Sequence, residues 1–163
     1  MTVNDALRDL LIAFYRDKLA ILLRHQEGAR FIPHYDFNNT YQYILGREET
    51  QLGWVGAAVE DLQGTLPTDV AAPQIPGGKG TERQRAIIDA DLHAAQAFVD
   101  QWRPKVDAMT NARHRGMLNV ILGETLEHKR FFEQALEGRA DLLGRHSDGA
   151  GTRGVVLDTR WIE

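Results

Sequence analysis

The sequence has no cysteine, which removes thiolate-held iron–sulfur clusters, thiolate zinc sites, thiol nucleophiles and disulfides in one step. A metal here would have to be held by carboxylate and imidazole, and the missing disulfides suit a reducing compartment. Long apolar runs are absent too. The longest, such as Leu10-Leu-Ile-Ala-Phe14, cover about a quarter of a membrane span, and the first residues lack the basic start and apolar stretch of a signal peptide. The expected location is the cytoplasm, with no membrane partner. Nor is there a basic excess: 19 Lys and Arg stand against 23 Asp and Glu, so no nucleic-acid partner is expected. Pro76-Gly-Gly-Lys-Gly80 lacks the spacing of a phosphate loop, and no Gly-x-Ser-x-Gly elbow occurs.

What is present is helical periodicity. The chain has five prolines, and between them apolar residues recur at 3.6-type spacing. A first helix is expected from Asn4 to Arg30, with Leu7, Leu11, Phe14, Ile21 and Leu22 on its apolar stripe. A second, capped by Asp36, runs from Phe37 to Leu62 and carries Tyr41, Leu45, Glu48, Leu52, Val55, Val59 and Leu62. The stretch from Gln63 to Thr81 holds Pro67, Pro73 and Pro76 and reads as a linker. Thr81 and Gln84 form a capping-box pattern opening a third helix along Ile88, Leu92, Ala95, Val99, Trp102 and Val106. Pro104 is expected to kink or divide it. Thr110 is the expected cap of a fourth helix with seam Met117, Ile121, Glu124, His128, Phe131 and Ala135. Trp54 and Trp102 read as core fillers, and His25 as one of several scattered histidines.

Four long amphipathic helices in 163 residues predict an all-α four-helix bundle over residues 1–143. Residues 144–163, with Trp161, are expected to form an extended C-terminal arm laid on the bundle or on a second subunit. The linker between the second and third helices can span ~60 Å at ~3.3 Å per residue, against ~40 Å for the second helix. That reach predicts a long crossover. Ile44-Leu45-Gly46 recurs as Ile121-Leu122-Gly123, each ahead of acidic residues, which hints at two related hairpins.

The chemical information lies where the apolar seams are interrupted. Glu48 sits between Leu45 and Leu52. Glu124 and His128 sit one turn apart between Ile121 and Phe131, with Glu127 adjoining. Asp91 lies one turn from Ile88 and Ala95, and Asp17 and Lys18 fall between Phe14 and Ile21. Counted from the helix turns, all four helices place acid or imidazole at similar depth. Carboxylates in an apolar core need a metal or a cationic partner.

These helices and their acids resemble the ferritin-like superfamily, the carboxylate-bridged di-iron bundles that include ferritin and rubrerythrin. The resemblance covers about residues 4 to 140. It rests on Arg47-Glu-Glu-Thr-Gln-Leu-Gly-Trp-Val-Gly56 and Gly123-Glu-Thr-Leu-Glu-His-Lys-Arg-Phe-Phe132, set against that family's Glu-x-x-His on its second and fourth helices. Here the second helix has Glu48-x-x-Gln51, an amide in place of imidazole. The residue three before His128 is Thr125, with Glu124 one further back. The family's acids on the first and third helices would fall near Asp17 (or Tyr15) and near Asp91.

Two readings stand open. The resemblance implies a carboxylate/histidine site for iron or manganese using Glu48, Asp91, Glu124 and His128, with Glu127 and Asp17 as additions, and redox or oxygen chemistry. The other is a metal-free, non-catalytic bundle acting as an interaction or assembly module, its midsection an ion-pair network through Lys18, Gln51 and the acids. A homodimer is the expected assembly in either case.

Overall fold

A computed structural model describes residues 2–144 of the protein; the expected C-terminal arm beyond Gly144 lies outside the described residues. Those residues form four α-helices: α1 (Val3–Ala29), α2 (Tyr35–Asp61), α3 (Gly80–Asp107) and α4 (Ala112–Leu136). No strand occurs among the described residues, and the architecture is an all-α four-helix bundle. No helix among them is long and apolar enough to cross a membrane.

The helix ends differ from expectation in chemically readable ways. Thr2 and Asp5 form a reciprocal capping box on α1, with both hydrogen bonds at 3.0 Å. α2 is capped not by Asp36 but by His34, whose Nδ1 accepts from the Phe37 amide at 3.3 Å. Thr81 does not cap α3. That helix starts two residues earlier, its N-cap Lys79 makes no side-chain cap bond, and the Gln84 amide oxygen accepts from the His34 amide at 3.1 Å instead. At α4 the cap is Asn111 rather than Thr110, its Oδ1 accepting from the His114 amide at 3.0 Å. Asn111→Ala is therefore expected to lower unfolding stability by about 1 kcal/mol, measurable by urea denaturation, whereas Thr110→Ala should change little.

Pro104 lies within a continuous α3 instead of dividing it. It is exposed and one turn from the helix end, so its ring meets solvent and only one helical hydrogen bond is lost.

Each helix adjoins two others: α1 packs on α2 and α3, and α4 on α3 and α2. The apolar core falls into two main parts. One contains Leu11, Phe14, Val55, Val59, Trp102, Val106 and Leu118. The other contains Ile32, Tyr41, Ile44, Ile87, Ile88 and Phe132. On α2, α3 and α4 buried polar residues lie between these parts: Glu48 and Gln51, Asp91, and Thr125 and His128. α1 adds Lys18 and His25. A polar layer thus crosses the bundle between two dry ends.

The segment joining α2 to α3 is held at several points. Gly64 lies so close to its neighbours that a Cβ would stand 2.8 Å from Val59 Cγ1 and 3.0 Å from Arg8 Cγ, which requires glycine there. Leu66 packs beside Gly56, Arg16 pairs with Asp69 at 3.3 Å, and the Pro76 carbonyl accepts from Arg83 Nε at 3.0 Å.

Candidate functional site

Lys18 is the residue around which the polar layer is built. It lies on the inner stripe of α1, one turn after Phe14, and its side chain is 0% exposed. The ammonium donates to Glu48 Oε2 at 3.1 Å and to Thr125 Oγ1 at 3.3 Å. The Thr125 hydroxyl donates to the Ile121 carbonyl at 2.8 Å, so its oxygen lone pairs are free to accept from Lys18. The second carboxylate oxygen of Glu48, Oε1, lies 2.7 Å from His25 Nδ1. Glu48 therefore meets a cation on one oxygen and an imidazole on the other. Burial alone would raise its pKa, but His25 and Lys18 outweigh it and hold the carboxyl down at about 2. For His25, burial pushes the pKa down, and the Glu48 and Asp91 carboxylates reverse that to give a net rise. The ring is walled by Tyr41 and Phe132, with centroids 5.9 and 5.6 Å away.

Asp91 on α3 is neutralised separately. Its Oδ1 accepts from Arg24 Nε at 3.0 Å and its Oδ2 from the Tyr41 hydroxyl at 2.5 Å. Burial first, then the Asp91 charge, keeps the Tyr41 pKa well above its usual range, so the phenol stays protonated and donates its hydrogen bond to the carboxylate.

The remaining expected site residues are dispersed. Glu124 is part-exposed and bound through both oxygens to Arg47, at 2.7 and 3.0 Å. Burial would raise its pKa, but the Arg47 guanidinium outweighs that and lowers it. The face of α4 that points inward carries Thr125, one residue on from the expected Glu124, between Ile121 and His128. Asp17 points toward α3, where its Oδ2 accepts from Trp102 Nε1 at 2.9 Å and Gln101 Nε2 at 3.1 Å. Glu127 is only partly buried. His128 is 1% exposed and neither ring nitrogen has a hydrogen-bond partner among the described residues. Burial drives its pKa down to about 3, so the ring is neutral at ordinary pH. Gln51 is likewise buried, with neither amide atom hydrogen-bonded among the described residues.

This arrangement bears on the iron or manganese implied by the resemblance. A dication needs several unshared donors converging on one point. Here Glu48 is shared with Lys18 and His25, Asp91 with Arg24 and Tyr41, Glu124 with Arg47, and Asp17 with Trp102. Among the described residues no group of three His, Cys, Asp or Glu is placed to hold a metal ion. An ammonium beside Glu48 would also repel a dication there. The donors do not fit a di-metal centre as they stand.

Family models, curated proteins and solved structures offer no match to this chain. The chemistry must be read from the residues.

Two members of the layer, His25 and Arg24, were not singled out by the sequence pattern. The signal for His25 was present: Leu11, Phe14, Lys18, Ile21 and His25 follow one another at spacings of three and four, so extending the α1 stripe by one turn reaches it. Trp54 is the opposite case. Expected in the core, it is 36% exposed, and its ring stands 5.7 Å from the Arg47 guanidinium.

Proposed function

We propose that this protein is a ferritin-like bundle in which an ammonium–carboxylate–imidazole network stands where a metal centre would be, and that it works without catalysis, as an interaction or assembly module. The observation that carries this reading is the contact between Lys18 and Glu48: 3.1 Å, with both side chains 0% exposed. Lysine supplies the positive charge a buried glutamate requires, and His25 and Thr125 complete the hydrogen bonding of the pair. Supporting the ferritin-like topology, the segment after α2 begins beside the N-terminal half of α1, through Gly64–Arg8 and Asp69–Arg16 contacts. α3 then starts beside the α1–α2 turn, through the Gln84–His34 bond. We read that segment as a crossover running the length of the bundle. An assembly role would use the outer faces of α2 and α4, where Trp54 and Val120 are exposed, with a second copy of the chain as the expected partner.

Metal analysis of the purified protein tests the reading directly. Iron and manganese are expected well below one equivalent, and anaerobic Fe(II) loading followed by oxygen should leave the visible spectrum unchanged. Stoichiometric metal that is lost in Glu48→Gln and in His128→Leu would overturn it in favour of the redox-metal reading.

A further inference from the structure

Where α2 adjoins α1, a groove of about 520 Å³ is shared by α2, α1 and the segment after α2, and Trp54 is not part of it. Its apolar side includes Leu19, Leu52 and Leu66, and its acidic side Glu49, Glu60 and Asp61. The three acids are exposed, and none forms an ion pair among the described residues. A cavity with an apolar floor and uncompensated acids at its edge suits a segment that carries apolar side chains next to a cation.

A path leads to it. Asn39, Gly46 and Gly53 recur at seven-residue intervals and so share one face of α2. At both glycines the space a Cβ would enter is open, so a chain can lie flat along that face. Leu142 and Leu143 sit at the head of this path, lining one small cleft with Asp36, Asn39 and Thr40. The sequence after Gly144 contains Val155-Val-Leu157 and then Arg160-Trp-Ile162, with Arg153 as a further cation. From Gly144 to Trp161 an extended chain reaches about 56 Å at ~3.3 Å per residue. The path along α2 from Asn39 to Gly56 is only about 25 Å at 1.5 Å per residue.

We propose that Arg160, Trp161 and Ile162 of the same chain occupy this groove, the two apolar side chains against Leu19, Leu52 and Leu66 and the guanidinium against the acids. Tethering makes even a weak contact persistent, because the segment is held at an effective concentration in the millimolar range. The groove then belongs to the molecule's own tail, and any outside ligand must displace it.

The absence of cysteine makes the test clean. Full-length Ala57→Cys/Thr159→Cys is oxidised under mild conditions and compared with Val120→Cys/Thr159→Cys, whose first position lies on the exposed side of α4. The first pair should form an intramolecular disulfide efficiently and the second should not. Adding Trp161→Ala should cut the cross-linked fraction roughly tenfold, and Glu60→Lys/Asp61→Lys should reduce it several-fold, more so at low salt. Equal cross-linking of the two pairs, or indifference to Trp161→Ala, would overturn the assignment. Disulfide-linked dimers in place of the intramolecular product would overturn it as well, and would give the groove to the tail of a second copy.

Discussion

Glu48→Leu is expected to lower the unfolding free energy by about 3–5 kcal/mol, because it leaves the Lys18 ammonium buried without a counter-charge. The loss should greatly exceed that from breaking the Arg47–Glu124 pair. That pair has better bidentate geometry, but both side chains are part-exposed, so water compensates and the cost stays near 1 kcal/mol or less. Lys18→Met is expected to be milder than Glu48→Leu, since Glu48 would keep the His25 contact at 2.7 Å. The decisive variant is Lys18→Met/Glu48→Leu. Apolar groups of similar volume remove both charges and both desolvation penalties, and replacements of this kind are often neutral or stabilising. The double variant should therefore be much more stable than Glu48→Leu alone, with a coupling of roughly 2–3 kcal/mol in the double-mutant cycle. Urea denaturation at pH 7 measures all four corners. Additive losses would show that the two side chains do not depend on each other, and the proposed core would fail with them.

The sequence carried the architecture more fully than the site, for reasons visible at single residues. The α2 seam from Tyr41 to Val59 is buried as its spacing required, because a long amphipathic stripe has one way to hide. On α4 the inward face lies one position on from the carboxylate. Glu124 and Thr125 both fit a seam through Ile121 and His128. Packing chose Thr125, which accepts from Lys18, while Glu124 turned to the edge and met Arg47. Pairing between helices is the part that periodicity does not encode. Arg24 with Asp91 and Asp17 with Trp102 each join residues more than sixty apart in sequence, and no local pattern favours those partners over others at the same depth. The repeated Ile-Leu-Gly triplet shows the same limit. Ile44, Leu45, Ile121 and Leu122 are all buried, and Gly46 and Gly123 both face open space, but Ile44 packs in one part of the core and Ile121 and Leu122 in the other.

His128 should make the fold acid-sensitive well above the pH at which carboxylates titrate. In the folded protein, burial depresses its pKa to about 3, from the ordinary 6.5; the Glu48 carboxylate opposes the shift, and Lys18 and His25 reinforce it. Between those two values the unfolded chain binds a proton that the folded chain refuses. Its contribution to stability is thus complete above about pH 6.5 and is lost as the pH falls toward 3, about 4–5 kcal/mol in all. Glu48 adds a second loss lower down, since its folded pKa of about 2 lies below the ordinary 4.5; that part disappears between about pH 4.5 and 2. His25 acts in the opposite sense. Its pKa is raised, so its contribution is fully present below 6.5 and fades as the pH climbs through the raised value. Between pH 6.5 and 4.5, among these three groups, only His128 gains a proton on unfolding. The unfolding free energy there should rise with pH by up to about 1.4 kcal/mol per unit from that one ring. His128→Leu should remove this slope, and at pH 7 it should cost little, because it replaces a buried ring whose nitrogens have no hydrogen-bond partner among the described residues with an apolar group of similar size. Urea midpoints of the two proteins across this interval decide the matter. An equally steep slope in His128→Leu, or an imidazole NMR titration of His128 centred near 6.5, would mean that the ring meets solvent and that the layer around Lys18 and Glu48 is wetter than its packing implies.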